Sequence, residues 1–489
     1  MRGTAITDEQ TIQLLQLSEL IQTAVADYVA AKNVKVERDE GSLPSHALFE
    51  AQRTLLSAAG MITELVSDPR LRIMEVSLQN YESRSVHMAV SLRIPDILAK
   101  YGVSGCHIKD LAARVGIESR KLSRFMRCLC SIHIFREVDE DIFANNRISA
   151  ALVDNEPLRS YVLMCGQYGY TAADHLPRLL TDPVKGSSYA VDECAFQAAV
   201  GSKASLWNWL EEPTKVRDVL DGRNGSNGAP SAYPGIFGDE LQHFVKEAKA
   251  KQDDQISIPR PELTTFGFAM IGGGKVLGEA HLYDFPWASL GKATVVDVGG
   301  GLGGFCLELS RLYPSLGFVI QDREQIVKKA ELDFWPRENP TAIHEGRVKF
   351  LKHDFFQENP TKGADIYWMR YIIHDWADDY CIKILKGVKA GMGPHSKLLI
   401  CDQVMNTTNG DPYLESAPDL LPANYGYAAR FSHVRDLEMM AFMNGIERKP
   451  TEFRNLIESA ELHLNRFWKT RSQVGLIEVV LPNSDLRSS

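Results

Sequence analysis

A histidine stands among acidic residues in the stretch RYIIHDWADDYC, residues 370–381. His374 follows an apolar, β-rich run and precedes a helical pattern that opens with acids, so we expect it just past the end of a strand, facing a cleft. A histidine in such a place suits general-base chemistry, in which the imidazole removes a proton from a reacting group. Its position alone leaves a second interpretation open, that of a hydrogen-bonded polar residue without a chemical role.

Two carboxylates are placed to orient that histidine. Asp402 ends the apolar run LLICD, and Glu447 lies in the turn NGIERKPTEF, ahead of a helix predicted at 450–460. Either could reach an imidazole in the cleft and fix its tautomer, as such bases require. For Glu447 the alternative is that it caps the following helix. The three residues together predict a general base whose imidazole is oriented by a carboxylate.

A glycine-rich turn in the stretch TVVDVGGGLGG predicts a nucleotide-type cofactor site. Gly299, Gly301 and Gly304 match the dinucleotide pattern GxGxxG, whereas Gly299, Gly301 and Gly303 match DxGxGxG with Asp297 in front. A carboxylate before the loop is unfavourable for a pyrophosphate at the helix N-terminus. It is favourable for the ammonium of S-adenosylmethionine (SAM). Asp297 therefore favours SAM.

The next two strands end in residues that suit an adenosyl group. Asp322 ends FVIQD, where either cofactor needs a carboxylate for its ribose hydroxyls. Asp354 and Phe355 follow the third strand, where the acid could accept from the adenine amino group while the ring packs on the base. The alternative for Asp354 is a helix N-cap.

Strands and helices alternate after about residue 285, which predicts a parallel sheet with helices on both faces. Ligands of such sheets bind beyond the carboxyl ends of the strands, where the residues above are placed. The predicted strands are 294–298, 317–321, 347–351, 364–369, 397–402 and 473–481, and the predicted helices include 376–391 and 430–443.

The first part of the chain has helical periodicity from about 8 to 67, and we hypothesise that these helices pack against a second subunit. A helix-turn-helix pattern with a β-wing follows, and its second helix carries Arg120, Lys121, Arg124 and Arg127. Residues 103–150 nevertheless contain eight Lys and Arg against six Asp and Glu, a net charge of only about +2, which disfavours DNA binding. Residues 214–263 are predicted to be a surface insertion with a flexible front half.

The bulk composition excludes several classes. The 489 residues carry a formal net charge of −9, which argues against a large phosphate-binding surface. No run approaches the roughly 20 apolar residues of a membrane helix. The eight cysteines form no CxxC pair, so neither a disulfide scaffold nor a zinc site is indicated. We expect a cytoplasmic protein that uses no metal and binds neither nucleic acid nor membrane.

The motif set VVDVGGG…QD…HDFF…RYIIHDWADDYC…LLICDQVM…GIERKPTEF resembles the SAM-dependent O-methyltransferases of the plant caffeic-acid and isoflavone type. The closer resemblance is to the fungal sterigmatocystin O-methyltransferase group. It covers about residues 75–481, apart from 214–263. It implies an α/β, Rossmann-like class I methyltransferase domain with a seven-stranded, mostly parallel sheet, preceded by a helical dimerisation region and a winged-helix-like domain.

The resemblance also implies domain bounds and a homodimer formed through the N-terminal helices. The expected parts are an N-terminal helical region 1–74, a winged-helix-like dimerisation domain 75–165, a helical substrate-pocket region 166–285 with the insertion, and a SAM-binding catalytic domain 286–489.

Residue by residue, the resemblance implies a cofactor site and a catalytic site. Arg370 stands where the family usually has lysine and would contact the cofactor. The other expected cofactor residues are Asp297, Gly299, Gly301 and Gly303 at the methionine part, Asp322 at the ribose, Asp354 and Phe355 at the adenine, and Trp376 beside the adenosine. His374 would be the general base, held by Asp402 and Glu447. The stretch FGFAM at 266–270 resembles the start of a family helix and implies that Met270 lines the acceptor pocket. The apolar stretches SYVLMCGQYGY and FGFAM add Met164 and Phe266 to that pocket, and the alternative for both stretches is a core helix.

The implied reaction is transfer of a methyl group from SAM to a phenolic hydroxyl of an aromatic, polyketide-type acceptor, with S-adenosylhomocysteine as the second product. Three alternatives remain open from the sequence. The chain could use SAM as an electrostatic element in a pericyclic rearrangement, it could be an NAD-binding oxidoreductase, or it could be a helix-turn-helix regulator. Retention of His374, Asp402 and Glu447 favours methyl transfer.

Overall fold

The structure is a computed structural model that describes residues 8–34, 43–251 and 254–487. These residues form two compact units. One comprises the described residues up to Ser67, together with Leu277–Met440 and those from Asn444 onward; the other comprises Asp68–Val276 and Ala441–Met443. Residues 35–42, within the region of predicted helical periodicity, and residues 252–253, within the segment 214–263, lie outside the described residues. The domain bounds given above remain predictions.

Two long helices begin the described chain, α1 (Glu9–Asn33) and α2 (His46–Val66). They pack against each other, with Leu17 and Ala58 buried together with Leu421. The helical periodicity predicted from 8 to 67 is therefore confirmed. The helices share this small core with a residue from the C-terminal half of the same unit.

Short helices dominate residues 68–278. They are α3 (Pro69–Ser77), α4 (Gln79–Ser91), α5 (Ile94–Ala99), α6 (Ile108–Val115), α7 (Ser119–Ser131), α8 (Glu156–Met164), α9 (Tyr170–Leu180), α10 (Ala195–Val200), α11 (Leu206–Glu211), α12 (Val216–Leu220), α13 (Asp239–Lys251) and α14 (Pro261–Gly278). The strands here are β1 (Cys106–His107), β2 (Phe135–Asp139), β3 (Ile142–Asn145), β4 (Thr214–Lys215) and β5 (Ser257–Ile258).

The predicted helix-turn-helix and hairpin correspond to α6, α7 and the antiparallel pair β2–β3, to which β1 adds a third strand. Arg127, on α7, donates to the carboxylates of Glu137 and Asp141 in the hairpin region, at 2.7 and 3.0 Å. One of the four basic residues of this helix is thus engaged within its own unit.

The segment 214–263 is not a surface insertion throughout, and that prediction is wrong for its middle. Tyr233 is only 1% exposed, and its hydroxyl donates to the buried carboxylate of Glu262 at 2.9 Å. Its ring packs edge-on against Tyr168 and Trp209. The Gly/Pro/Asn-rich composition predicted exposure, but one aromatic side chain buries enough apolar surface to hold the loop in the core. The strands β4 and β5 pair with each other near the ends of the segment.

A seven-stranded sheet lies in the other unit and confirms the predicted fold class. Its strands are β6 (Thr294–Val298), β7 (Gly317–Asp322), β8 (Val348–Lys352), β9 (Ile366–Arg370), β10 (Lys397–Cys401), β11 (His463–Trp468) and β12 (Leu476–Val480). The strand order is β11-β12-β10-β9-β6-β7-β8. The pairs from β8 to β10 are parallel, and β12 is antiparallel to both of its neighbours.

Helices cover this sheet on both faces, as alternating side chains of β9 show. Trp368 packs into a cluster with Phe305, whereas Tyr367 and Met369 pack into a second cluster with Ile384. The helices are α15 (Gly304–Leu312), α16 (Glu324–Lys329), α17 (Trp335–Glu338), α18 (Pro340–His344), α19 (Asp378–Gly391), α20 (Arg430–Met443) and α21 (Pro450–Ser459). The strand order reverses between β6 and β9, so the carboxyl ends of these strands border the ligand cleft of this fold.

The described helices include none that is both long and apolar enough to cross a membrane. The described side chains likewise include no group of three or more His, Cys, Asp and Glu that could hold a metal ion.

Candidate active site

The glycine loop after β6 closes around the carboxylate of Asp297. Gly299, Gly301 and Gly303 have φ of 71°, 59° and 77°, values that glycine adopts without the strain other residues incur. The amide groups of Gly299 and Gly300 donate to the carbonyl of Gln321 on β7, at 2.9 and 3.0 Å. A Cβ added at Gly300 would lie 2.5 Å from Cγ of Asp297. The loop therefore holds a buried carboxylate at the end of the central strand.

One side of this loop is packed and another is open. A Cβ at Gly299 would lie 2.6 Å from Ile372, and one at Gly303 would lie 3.0 Å from Ile320. At Gly301 a Cβ would meet nothing within 4 Å. The loop backbone is thus accessible at Gly301, where a bound molecule can approach it closely.

The charges around the loop fit a cationic ligand that carries hydroxyl groups. Burial raises the pKa of Asp297 to about 6, although the Cys306 thiol and the Arg370 guanidinium both lower it. The Asp322 carboxylate accepts from the amides of Gly301 (2.8 Å) and Arg323 (2.7 Å), which fixes it beside the loop. Two carboxylates next to accessible backbone suit the ammonium and ribose of SAM better than a pyrophosphate.

The aromatic residues expected at the adenine form one cluster. The Phe355 ring lies 3.5 Å from the position of a Cβ at Gly299, and its centroid is 6.1 Å from that of Trp376. Asp354 is exposed, and its carboxylate accepts from the amide of Phe356 at 3.0 Å. This contact stabilises a turn. No helix starts after Asp354, so the alternative of a helix N-cap is wrong.

Arg370 ends β9 and lies over aromatic rings, with its guanidinium 5.4 Å from the centroid of Phe305 and 5.6 Å from that of Tyr371. Tyr371 itself has φ of 55°, a left-handed conformation that is strained for a bulky residue. The chain thus turns sharply between the end of β9 and His374. Strain of this kind is found at functional sites.

His374 is buried between two carboxylates. Its Nδ1 lies 2.8 Å from Oε1 of Glu447, and its Nε2 lies 3.3 Å from Oδ1 of Asp375. Burial lowers the pKa of His374, but the negative charges of Glu447 and Asp375 outweigh burial and raise it to about 9. An ionised carboxylate only accepts hydrogen bonds, so we assign the Nδ1 proton to the bond with Glu447.

The expected hydrogen bond from Asp402 to His374 is not formed. Asp402 is fully buried, and neither of its carboxylate oxygens has a hydrogen-bond partner among the described residues. Burial raises its pKa to about 6, and the nearby charge of His374 lowers it. Asp402 therefore acts on His374 through its charge alone.

Glu447 is not the helix cap that the sequence left open. Lys449 is the N-cap residue of α21, and the carboxylate of Glu452 accepts from its backbone amide at 2.8 Å. The backbone amide of Glu447 donates to Asp436 at 2.9 Å. The side chain of Glu447 does not cap the helix and instead contacts Nδ1 of His374 through Oε1.

Two residues of the site were missed from the sequence. Asp375 does not belong to the acids that open the following helix, because α19 begins at Asp378; Asp375 instead faces Nε2 of His374. Arg448 is 1% exposed and donates to the carbonyls of Ile373 and Trp376, on either side of His374. The only available signals were the adjacency of Asp375 to His374 and of Arg448 to Glu447.

The three residues expected at the acceptor pocket lie in the other unit. Met270 and Phe266 are on α14, where Met270 is 37% exposed and the Phe266 ring packs edge-on against Trp207. Met164 is buried at the end of α8. The stretch FGFAM was expected to start a helix, but α14 already begins at Pro261. Their contact with an acceptor remains a prediction.

Comparison with known proteins finds two family matches in the chain. The model of the O-methyltransferase domain matches residues 273–462, and that of the O-methyltransferase dimerisation domain matches residues 74–155. O-methyltransferase tpcA of Aspergillus fumigatus is 51% identical, and O-methyltransferase gedA of Aspergillus terreus is 50% identical. Each alignment covers 96% of this chain and 96% of the relative.

Solved structures share the fold at low identity. LepI in complex with SAM is 17% identical with a TM-score of 0.64, and covers 97% of this chain and 100% of its own. OxaC in complex with SAH and oxaline is 19% identical with a TM-score of 0.60, and covers 95% and 100%. The dimerisation domain supports a homodimer, and the methyltransferase domain supports the use of SAM. The chain belongs to the O-methyltransferase family, in the fungal branch that its motifs predict, and it is a SAM-dependent O-methyltransferase.

Proposed function

We propose that this enzyme methylates a phenolic hydroxyl of an aromatic, polyketide-type secondary metabolite, with His374 as the general base. The observation that carries the proposal is the buried contact between Nδ1 of His374 and Glu447. Because that contact engages Nδ1, Nε2 is the nitrogen that takes the proton.

The raised pKa of His374 suits a phenol. A phenol has a pKa near ~10, so proton transfer to an ordinary histidine of pKa ~6.5 is uphill by on the order of 5 kcal/mol. The carboxylates of Glu447 and Asp375 raise the pKa of His374 to about 9, which removes most of that gap. The same charges favour the protonated ring in the free enzyme at neutral pH, so the base must lose a proton before it can act.

The residues around the glycine loop would hold SAM. Asp297 offers a carboxylate for the ammonium, Asp322 offers one for the ribose hydroxyls, and Arg370 and Asp354 are the remaining polar candidates. Phe355 and Trp376 would cover the adenosine and exclude water. SAM, when bound, supplies an electrophilic methyl group.

The acceptor and the subunit arrangement are further parts of the proposal. We infer that Met270, Phe266 and Met164 would line the pocket of a flat aromatic acceptor. The homodimer would use the N-terminal helices, since α1 exposes large apolar side chains that a second subunit could cover. These are Ile12, Leu15, Val25 and Val29, each 42–52% exposed.

The test is methyl transfer from labelled SAM to a panel of polyhydroxylated naphthalenes and anthraquinones, with His374→Ala in parallel and the exposed His344→Ala as the matched control. We expect label in a product ether and a loss of at least about 10²-fold in the His374 variant alone. Near-normal turnover of His374→Ala would contradict the base role. SAM binding without label in any phenol would contradict the acceptor class, and an isomerised substrate of unchanged mass would identify the pericyclic alternative.

A further inference from the structure

Arg448 makes an unusual set of contacts for a buried arginine. Its Nη1 donates to the carbonyl of Ile373 at 2.8 Å, and its Nη2 donates to the carbonyl of Trp376 at 2.7 Å. Nη2 and Nε both donate to Oδ1 of Asp378, at 2.8 and 3.2 Å. The guanidinium therefore spans the turn that carries His374, with one backbone contact before the histidine and another after it.

The residues next to Arg448 hold the same turn. The amide of Ile446 donates to the carbonyl of His374 at 2.8 Å, and Glu447 holds the imidazole. Three consecutive residues thus bind the backbone and the side chain of the 373–376 turn. Because the contacts are adjacent along one chain, displacement of Arg448 would also move Glu447 away from Nδ1.

Arg448 also connects this turn with the segment after β10. Its carbonyl accepts from the amide of Met405 at 2.9 Å, and it forms a parallel bridge with Val404. Asp402 lies two residues before Val404, and the positive charge of Arg448 lowers its pKa. The segments that contribute His374, Glu447 and Asp402 therefore meet at one residue, whose guanidinium binds the 373–376 turn and whose backbone binds the segment after β10.

These contacts are not explained by a salt bridge alone. The carboxylate partner, Asp378, has a side chain that is 65% exposed, and exposed ion pairs contribute little. The buried partners are backbone carbonyls, which need a donor because they are withdrawn from water. A lysine carries one point-like ammonium and cannot span two carbonyls and a carboxylate as the planar guanidinium does.

We propose that Arg448 is a positioning residue that sets the 373–376 turn and thereby holds the His374 imidazole against Glu447. The proposal rests on His374 acting as the base. It assigns Arg448 an effect on the protonation and turnover of His374, beyond a contribution to folding.

The experiment compares Arg448→Lys with Arg471→Lys in the full-length enzyme. Arg471 is a matched control, since it is also buried and donates to a carboxylate, that of Asp284, and to a backbone carbonyl, that of Pro44. The measurements are thermal unfolding, SAM affinity by calorimetry, turnover of the best phenol of the panel against pH, and the imidazole resonances of His374 by NMR. The resonances are assigned with His374→Asn.

We expect Arg448→Lys to lower turnover by roughly 10²-fold, the size of effect that misplacement of a catalytic group by about 1 Å produces. The downfield Nδ1 proton of His374 should be lost, and the pKa of His374 should fall from about 9. SAM affinity should change much less than turnover. An Arg448→Lys variant that matches Arg471→Lys in turnover, pH profile and resonances would overturn the proposal.

A second pair of variants tests the positioning role of Arg448 if Arg448→Lys does not fold. Asp378→Ala removes one partner of the guanidinium, and Asp379→Ala removes a neighbouring acid from the same helical turn. We expect only Asp378→Ala to lower turnover, by about two- to fivefold, and to shift the pH profile. Equal behaviour of the two would overturn the proposal. The His374→Ala variant distinguishes failure of the base role from failure of the positioning role. Normal turnover of His374→Ala would refute the base role. Loss of turnover in His374→Ala, together with normal turnover of the Arg448 and Asp378 variants, would refute only the positioning role.

Discussion

Nδ1 of His374 and Oε1 of Glu447 lie 2.8 Å apart, and both side chains are buried. The second oxygen of Glu447 has no hydrogen-bond partner among the described residues. The negative charge of Glu447 is therefore directed mainly to one imidazole. This arrangement makes the charge state of His374 the quantity on which several measurable properties depend.

The activity should rise with pH well beyond neutrality. His374 accepts a proton only when its ring is neutral, and a pKa raised to about 9 means that the neutral ring accumulates only as the pH approaches that value. The measurement is kcat/KM for the phenol between about pH 6 and about pH 10, at saturating SAM. A profile that already reaches its plateau near ~6.5, the ordinary pKa of histidine, would contradict the assignment.

Asp375→Asn should move that profile to lower pH. The carboxylate of Asp375 lies 3.3 Å from Nε2 of His374 and stabilises the protonated ring, so its neutralisation lowers the pKa of His374. Asp379→Asn, which removes an acid from the first turn of α19, is the control and should leave the profile in place. Identical profiles for the two variants would show that Asp375 does not act on the base.

Asp322→Ala should weaken SAM binding before it affects turnover at saturating SAM. The carboxylate anchors the Gly301 amide and is the proposed partner of the ribose hydroxyls, and hydrogen bonds to a charged group are worth about 1.5–3 kcal/mol each. We expect the dissociation constant to rise by roughly 10- to 100-fold, measured by calorimetry. Asp333→Ala, at an exposed acid, is the control. Unchanged affinity in Asp322→Ala would refute the ribose assignment.

Gly445→Ala should impair the site without direct contact with either ligand. A Cβ at Gly445 would lie 2.6 Å from the carbonyl oxygen of His374, so the turn that carries the proposed base must shift. Overpacking of this kind typically costs about 1–3 kcal/mol, and we expect turnover to fall by more than about tenfold. Gly317→Ala is the control, since its Cβ would approach neighbours no closer than 3.6 Å. Equal turnover of the two variants would contradict the prediction.

The sequence predicted the strands whose side chains are apolar on both faces. The strand predicted at 294–298 matches β6, and the run at 317–321 differs from β7 only at its end. Strand β11 was missed because His463, Asn465 and Arg466 interrupt its apolar pattern at the edge of the sheet, where one side lacks a neighbouring strand. Periodicity identifies buried strands more readily than half-exposed ones.

The candidate site was predicted less completely, for a reason that its contacts explain. The rule that ligands bind at strand ends correctly placed Asp402 near His374, but it does not determine the direction of a side chain. Arg448 was missed because two of its partners are backbone carbonyls, which leave no signature in residue types. Asp375 was missed because the turn at 373–375 separates it from the helix that its acidic neighbours begin.

The pairing of β4 with β5 has an evolutionary consequence. Thr214 faces Ile258 and Lys215 faces Ser257 in one antiparallel ladder, so the chain leaves and returns at points separated by only about 5 Å. A segment joined in this way can lengthen, shorten or diverge between relatives without displacing the residues that flank it. Tyr233 limits this freedom, because any replacement loop must also supply an aromatic side chain to the core beside Trp209. We therefore expect sequence change in this region to be faster at its exposed positions than at its buried ones, such as Asn224, Tyr233 and Ile236.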